Sequence, residues 1–156
     1  MLKHFLAPAS LVFTMLFAVA TQAQDSPGTV INYEMAERAM AAALAEARRN
    51  NWNLTIIVAD HAGTPVMIHR MNGASARTFE IAMAKAKVVT ETGLFSGEYG
   101  RRLAAGEIEE IEGGIHYAGG VPVMLNGEQI GAVTSSGAQG SEDEQVSLVG
   151  AAAIGD

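Results

Sequence analysis

The sequence predicts an α+β domain with a mostly antiparallel sheet. Three observations carry this. Two pairs of β-rich stretches are each joined by a tight turn. Helical periodicity stands before, between and after those pairs. No segment repeats, and nothing marks a second domain. Hairpins separated by helices imply a sheet whose neighbours run antiparallel, with helices packed on it.

The chain opens with Lys3 and His4, then an apolar run over Leu11–Ala20, then small residues at Thr21 and Ala23. Charge, apolar core and small-residue exit form a secretory signal peptide cut after Ala23. A membrane span needs about 20 apolar residues. Pro8 and the polar Thr21-Gln22 leave this run too short. The expected organisation is a signal peptide over 1–23, a flexible lead over 24–30 containing Pro27 and Gly28, and one domain over 31–156.

Asn32 is placed to cap a first helix, with Glu34 in its opening turn. Ala36, Ala39, Met40, Ala43, Leu44 and Ala47 then fall on one stripe up to Arg49. Leu54–Ala59 and Thr64–Arg70 read as strands around a turn at Asp60–Gly63. Ser75–Thr92 reads as a second helix, with Phe79, Ala82, Met83, Ala86 and Val89 inward and Gly93 ending it. Ser96 is expected to cap a short helix to about Ala105. Gly106–Gly120 reads as an irregular loop, acidic and then glycine-rich. Val121–Leu125 and Glu128–Thr134 flank Asn126-Gly127, the dipeptide suited to a type I′ turn. Ser141 and Glu144 have capping-box spacing at the start of a last helix, with Val146 and Val149 inward.

Composition narrows the function. The chain carries 10 Lys+Arg against 17 Asp+Glu, a formal charge of −7. Such a balance argues against nucleic acid and against an anionic membrane surface as partners. There is no cysteine, so disulfides, thiolate metal sites and cysteine nucleophiles are excluded.

Candidate chemistry rests on few residues. His116 sits beside Gly113-Gly114 in the long loop, a setting in which side chains often line sites. His69 shares a strand face with Met67 and Met71, which suits either a soft metal or ordinary core packing. Neither has the spacing of a zinc site. His61 reads as an exposed turn residue. Ser136-Gly137 leads into the last helix, where backbone N–H groups favour an anion, although a plain glycine turn explains the pattern equally. Arg70, before a tight turn, and Lys85, in mid-helix, are each able to hold a carboxylate or simply to reach water.

Several of these stretches together resemble the GlcG/HbpS-like haem-binding (haem-degrading domain) family. Val58-Ala59-Asp60-His61-Ala62-Gly63 resembles its first hairpin turn, and Arg70-Met71-Asn72-Gly73-Ala74 the turn that follows. Ile81-Ala82-Met83-Ala84-Lys85-Ala86 resembles its helix. Gly119-Gly120-Val121-Pro122-Val123 with Gly127–Val133 resembles its second hairpin, and Ser136-Gly137 with Asp143-Glu144 its closing motif. The resemblance runs from about Thr29 to Ala152. It implies a profilin-like three-layer α/β/α sandwich around a five-stranded antiparallel sheet, and homo-oligomers. It also implies haem binding in some members, with links to haem breakdown or redox signalling. The chain departs from the pattern at Val88, where the family has a threonine implicated in iron coordination, and at Asn72, Ala138 and Thr134.

The expected function is therefore an exported, periplasmic or secreted, haem (tetrapyrrole)-binding protein. Propionates would be held by Arg70 or Lys85, and the iron by His116 or His69. Two alternatives stand beside it. One is a protein or enzyme binding a small organic acid at Ser136-Gly137. The other is a structural or regulatory oligomer without a small ligand.

Overall fold

The computed structural model describes residues 30–155. The expected signal peptide and all but Val30 of the expected lead lie outside them. At the centre is Thr55–Asp60 (β1), whose Ile56, Ile57, Val58 and Ala59 are all fully buried. A strand buried on both faces has to be apolar throughout, and this one nearly is. It pairs antiparallel with Pro65–Arg70 (β2) on one side and Glu128–Ser136 (β4) on the other. Gly120–Leu125 (β3) then pairs with β4, giving the order β2-β1-β4-β3.

Pleating divides the sheet's side chains between two layers. Ile56, Val58, Val121, Val123 and Val133 face Tyr33–Arg49 (α1) and Gly140–Ala152 (α4). Their partners there include Ala36, Ala39, Met40, Ala43 and Val146. Ile57 and Ala59 face Ala82 and Ala86 of Ala76–Thr92 (α2). A short helix, Ser96–Ala104 (α3), packs beside α2 and the start of β3. Helices on both faces make three layers. The abundant alanine and glycine serve close approach: a Cβ on Gly150 would lie 3.1 Å from Val133 and 3.2 Å from the Ala39 carbonyl oxygen. No helix among the described residues is long and apolar enough to cross a membrane.

The sheet has four strands, not the five that the family resemblance implied. The residues themselves offer two hairpins and so four strands. The long segment between α3 and β3 contains turns and bends instead of a fifth. Its run over residues 107–114 has only Ile108 and Ile111 among acids and glycines. Three residues apart, they would fall on opposite faces of a strand, leaving no alternating apolar face to lay on a core.

Most element ends follow the expected chemistry. Asn32 accepts a hydrogen bond from the Met35 N–H at 2.9 Å, and Gly93 ends α2 at φ 71°. Asn126 and Gly127 both have positive φ, as a type I′ turn requires. Three expectations fail. Ser96 is already helical, and its hydroxyl bonds the loop before β3 instead of capping. The box opening α4 lies two residues earlier than expected, with the Gln139 N–H donating to Glu142. Phe79 is exposed. The buried stripe of α2 runs through Thr78, Ala82, Lys85, Ala86 and Val89.

Glu46 ties α1 to α4, and its carboxylate accepts from Gln145, Arg49 and Asn50. The Gln145 amide foremost, then Arg49 and Asn50, hold its carboxyl below the ordinary value of 4.5. A lowered folded pKa gives stability that is present above 4.5 and lost as pH falls through the lowered value. Glu46→Gln should therefore flatten the acid limb of a stability–pH curve below about pH 4.5. An unchanged limb in denaturant titrations would refute the assignment.

Candidate functional site

Lys85 shows how the site is built. It lies on the inward stripe of α2, one turn from Ala82, so the fold buries it. Its ammonium donates to the Ser135 carbonyl at 2.8 Å and to Asp143 of α4 at 2.9 Å. The two side chains are 1 % and 5 % exposed, so the pair is shut away from bulk water. Burial pulls Lys85 down from the usual lysine value and pushes Asp143 up, and each shift is opposed by the partner's charge. The second Asp143 oxygen accepts from the Ala138 N–H at 3.0 Å. The Ser135 hydroxyl donates to the Asp143 carbonyl, and that of Ser147 to the Gly119 carbonyl. Gly119 stands at φ 122°, and a Cβ there would lie 2.4 Å from the Lys85 nitrogen. Only glycine leaves room for the ammonium.

This pair floors a cleft of about 440 Å³ between α2, α3 and the start of α4. Ile81, Tyr117, Ala118 and Ala138 supply apolar wall, while Arg101, His116 and Ser136 supply polar groups. His116 is exposed, its ring edge-on to Tyr117 with centroids 4.9 Å apart. The loop that carries it is pinned from α3. The Ser96 hydroxyl donates to the Tyr117 carbonyl at 2.7 Å and accepts from the Gly120 N–H at 2.9 Å. Gly100 lets α3 approach closely, because a Cβ there would come within 2.3 Å of the His116 carbonyl oxygen.

Three of the expected site residues, His116, Lys85 and Ser136, thus meet in one place. His69 and Arg70 do not join them. They line a second cleft with Arg48, Asn53, Met71 and Asn72. His69 pairs with Ile56 and Met67 with Val58, so this face of β2 points toward the α1/α4 layer, where Met67 and Met71 pack on the core. Gly137 lines neither cleft. At φ 145°, it brings the backbone against Asn53, whose carbonyl oxygen would lie 2.5 Å from an added Cβ. The first turn of α4 already holds carboxylates, since Asp143 and Glu142 accept the N–H groups of Ala138 and Gln139. Among the described residues, no three His, Cys, Asp or Glu side chains group as a metal site.

The family described as "Haem degrading protein HbpS-like" matches residues 31–152. The chain belongs to the HbpS-like family. Its likeness to the protein GlcG of Escherichia coli K12 is 32% identity over 114 residues, covering 67% of this chain and 79% of GlcG. A crystal structure of a double mutant of Streptomyces reticuli HbpS superposes with a TM-score of 0.76 at 28% identity, covering 96% of this chain and 100% of that one. A PduOC–haem complex shares the fold at a TM-score of 0.68 and 20% identity, over 80% of this chain and 95% of that one.

Within this HbpS-like chain, Val88 is fully buried, and its side chain would meet a Cβ on Gly114 at 2.8 Å. It is a packing residue. Thr90 turns its hydroxyl back onto the Ala86 and Lys87 carbonyls. Sequence reasoning missed Arg101 and Tyr117 as cleft residues. Arg101 reads as one more basic residue near a helix end, and only the docking of α3 brings it to the cleft. Asp143 left a fainter signal, as an acid one helical turn before the inward Val146.

Proposed function

We propose that this chain is an exported haem-binding protein that takes the tetrapyrrole at the cleft between α2, α3 and α4. The observation that carries the reading is His116, an exposed imidazole on the rim of an apolar-walled cleft, in a chain of the HbpS-like family. The residues present fit such a group. Imidazole is a common haem iron ligand. Ile81, Tyr117, Ala118 and Ala138 are apolar or aromatic surface for a macrocycle, and Arg101 is a cation suited to a propionate. The cleft volume falls within the usual range for small-molecule sites. Lys85 has a different task, because its ammonium is buried against Asp143 and the Ser135 carbonyl. Arg101, though paired with Glu98, is 74 % exposed and keeps other N–H groups for a propionate. Bound haem supplies redox-active iron, the chemistry that haem degradation or redox sensing requires. Secretion to the periplasm or beyond is inferred from residues 1–23 alone, and assembly into homo-oligomers from the family resemblance.

Hemin titrated into the purified protein should give a saturable Soret band. His116→Ala should bind about tenfold more weakly or worse, a loss of at least about 1.4 kcal/mol. His69→Ala, in the other cleft, should bind as wild type does. Equal affinity in His116→Ala, or a loss confined to His69→Ala, would overturn the placement.

A further inference from the structure

The second cleft has a chemistry of its own. It lies where the end of α1, the α1–β1 connection and the end of β2 converge, and its volume is about 440 Å³. Two arginines, a histidine and two asparagines line it together with Met71, and no acid does. In a chain with 17 acids and 10 Lys+Arg, that is against the general composition. Most basic side chains here have a carboxylate partner: Arg49 with Glu46, Lys85 with Asp143, Lys87 with Glu91, and Arg101 and Arg102 with Glu98. Among the described residues, Arg38, Arg48, Arg70 and Arg77 have none within 4.0 Å, and two of these four, Arg48 and Arg70, face this cleft together.

Arg70 and the turn beside it are also held in place. The Arg70 guanidinium donates to the Ala74 carbonyl at 2.9 Å, which fixes its plane and leaves its other N–H groups for a ligand. The turn beneath is anchored by Met71 N–H to the Leu54 carbonyl and Ala74 N–H to the Met71 carbonyl. Gly73, at φ 92°, lets the Asn53 amide lie over the turn, since an added Cβ would sit 3.1 Å from its nitrogen. Two forked cations with amide and imidazole donors around a small concavity match a dianion with several oxygen atoms.

We infer that this cleft binds a small dianionic oxyanion, a phosphate group or a dicarboxylate, independently of the haem cleft. The test uses the haem-free protein, ¹⁵N-labelled, titrated with inorganic phosphate in one arm and succinate in the other, at constant ionic strength. One or both anions should shift the Asn53, Asn72 and Gly73 signals saturably, and the arm that saturates identifies the class. Arg48→Gln, an exposed change, should weaken that binding about tenfold, as loss of one charge-assisted bond does. Arg77→Gln, outside both clefts, should leave it unchanged. No saturable shift in either arm, or equal affinity in Arg48→Gln, would overturn the inference. So would an equal loss in Arg77→Gln, which would mean general charge attraction.

Discussion

Lys85→Met is expected to destabilise the protein by about 3–5 kcal/mol, because it strands Asp143 as an unpaired buried carboxylate. The geometry leaves that group little contact with water, only through the cleft that it floors. Asp143 is 5 % exposed on its side chain, and its remaining partner is the Ala138 N–H. The Ser135 carbonyl would lose a donor at the same time. Against a typical total stability of about 5–15 kcal/mol, such a loss is large. Removing both charges, as Lys85→Met with Asp143→Leu, should recover much of it, since apolar replacement of a buried pair is often near neutral. Urea unfolding of the three proteins measures both effects. A single variant within about 1 kcal/mol of wild type would show that water reaches the pair.

Gly100→Ala should cost about 1–3 kcal/mol and weaken hemin binding together, because overpacking displaces the strand of loop beneath α3. The contact is with backbone: an added Cβ would lie 2.3 Å from the His116 carbonyl oxygen and 3.0 Å from the His116 Cβ. Local propensity predicts the opposite sign, since alanine in a helix interior is favoured over glycine by about 1 kcal/mol. A destabilised variant therefore reports the tertiary contact itself. Denaturant unfolding and a hemin titration on one preparation separate the outcomes. A variant as stable as wild type and unchanged toward hemin would mean that the loop yields without cost.

The fold was largely legible because its signals are local. The Asn126-Gly127 turn, the Asn32 cap and the alanine stripe of α1 depend on near neighbours, and each appears where the chain chemistry puts it. The five-strand count came from the family resemblance and not from any stretch of residues; the two hairpins accounted for four. Boundary errors arose where a side chain had a better distant partner. Ser96 looks like a cap in sequence, but its hydroxyl serves Tyr117 and Gly120, 21 and 24 residues away. Lys85 was the hardest residue to place. A lysine in mid-helix usually reaches solvent. Its burial depends on Asp143, 58 positions later, and on the space above Gly119. Likewise, nothing in the spacing of His116, Lys85 and Ser136 says that they meet, or that His69 and Arg70 lie elsewhere. Arg70 and Ser136 both pair with Thr55, so the two clefts share one end of the sheet. They are divided by the helices that flank them, α2, α3 and α4 at one and the end of α1 at the other.

The pairing of β1 with β4 at the centre of the sheet also sets an order of events during synthesis. Each sequence-adjacent hairpin supplies only two strands, and an isolated hairpin is marginally stable at best. The ladder that unites them joins residues 55–60 to residues 131–136. Until that last strand has been made, Ile56 and Val58 lack their cover from Val133 and Val146. The nascent chain therefore stays open through most of its length and closes its core only near the end of translation.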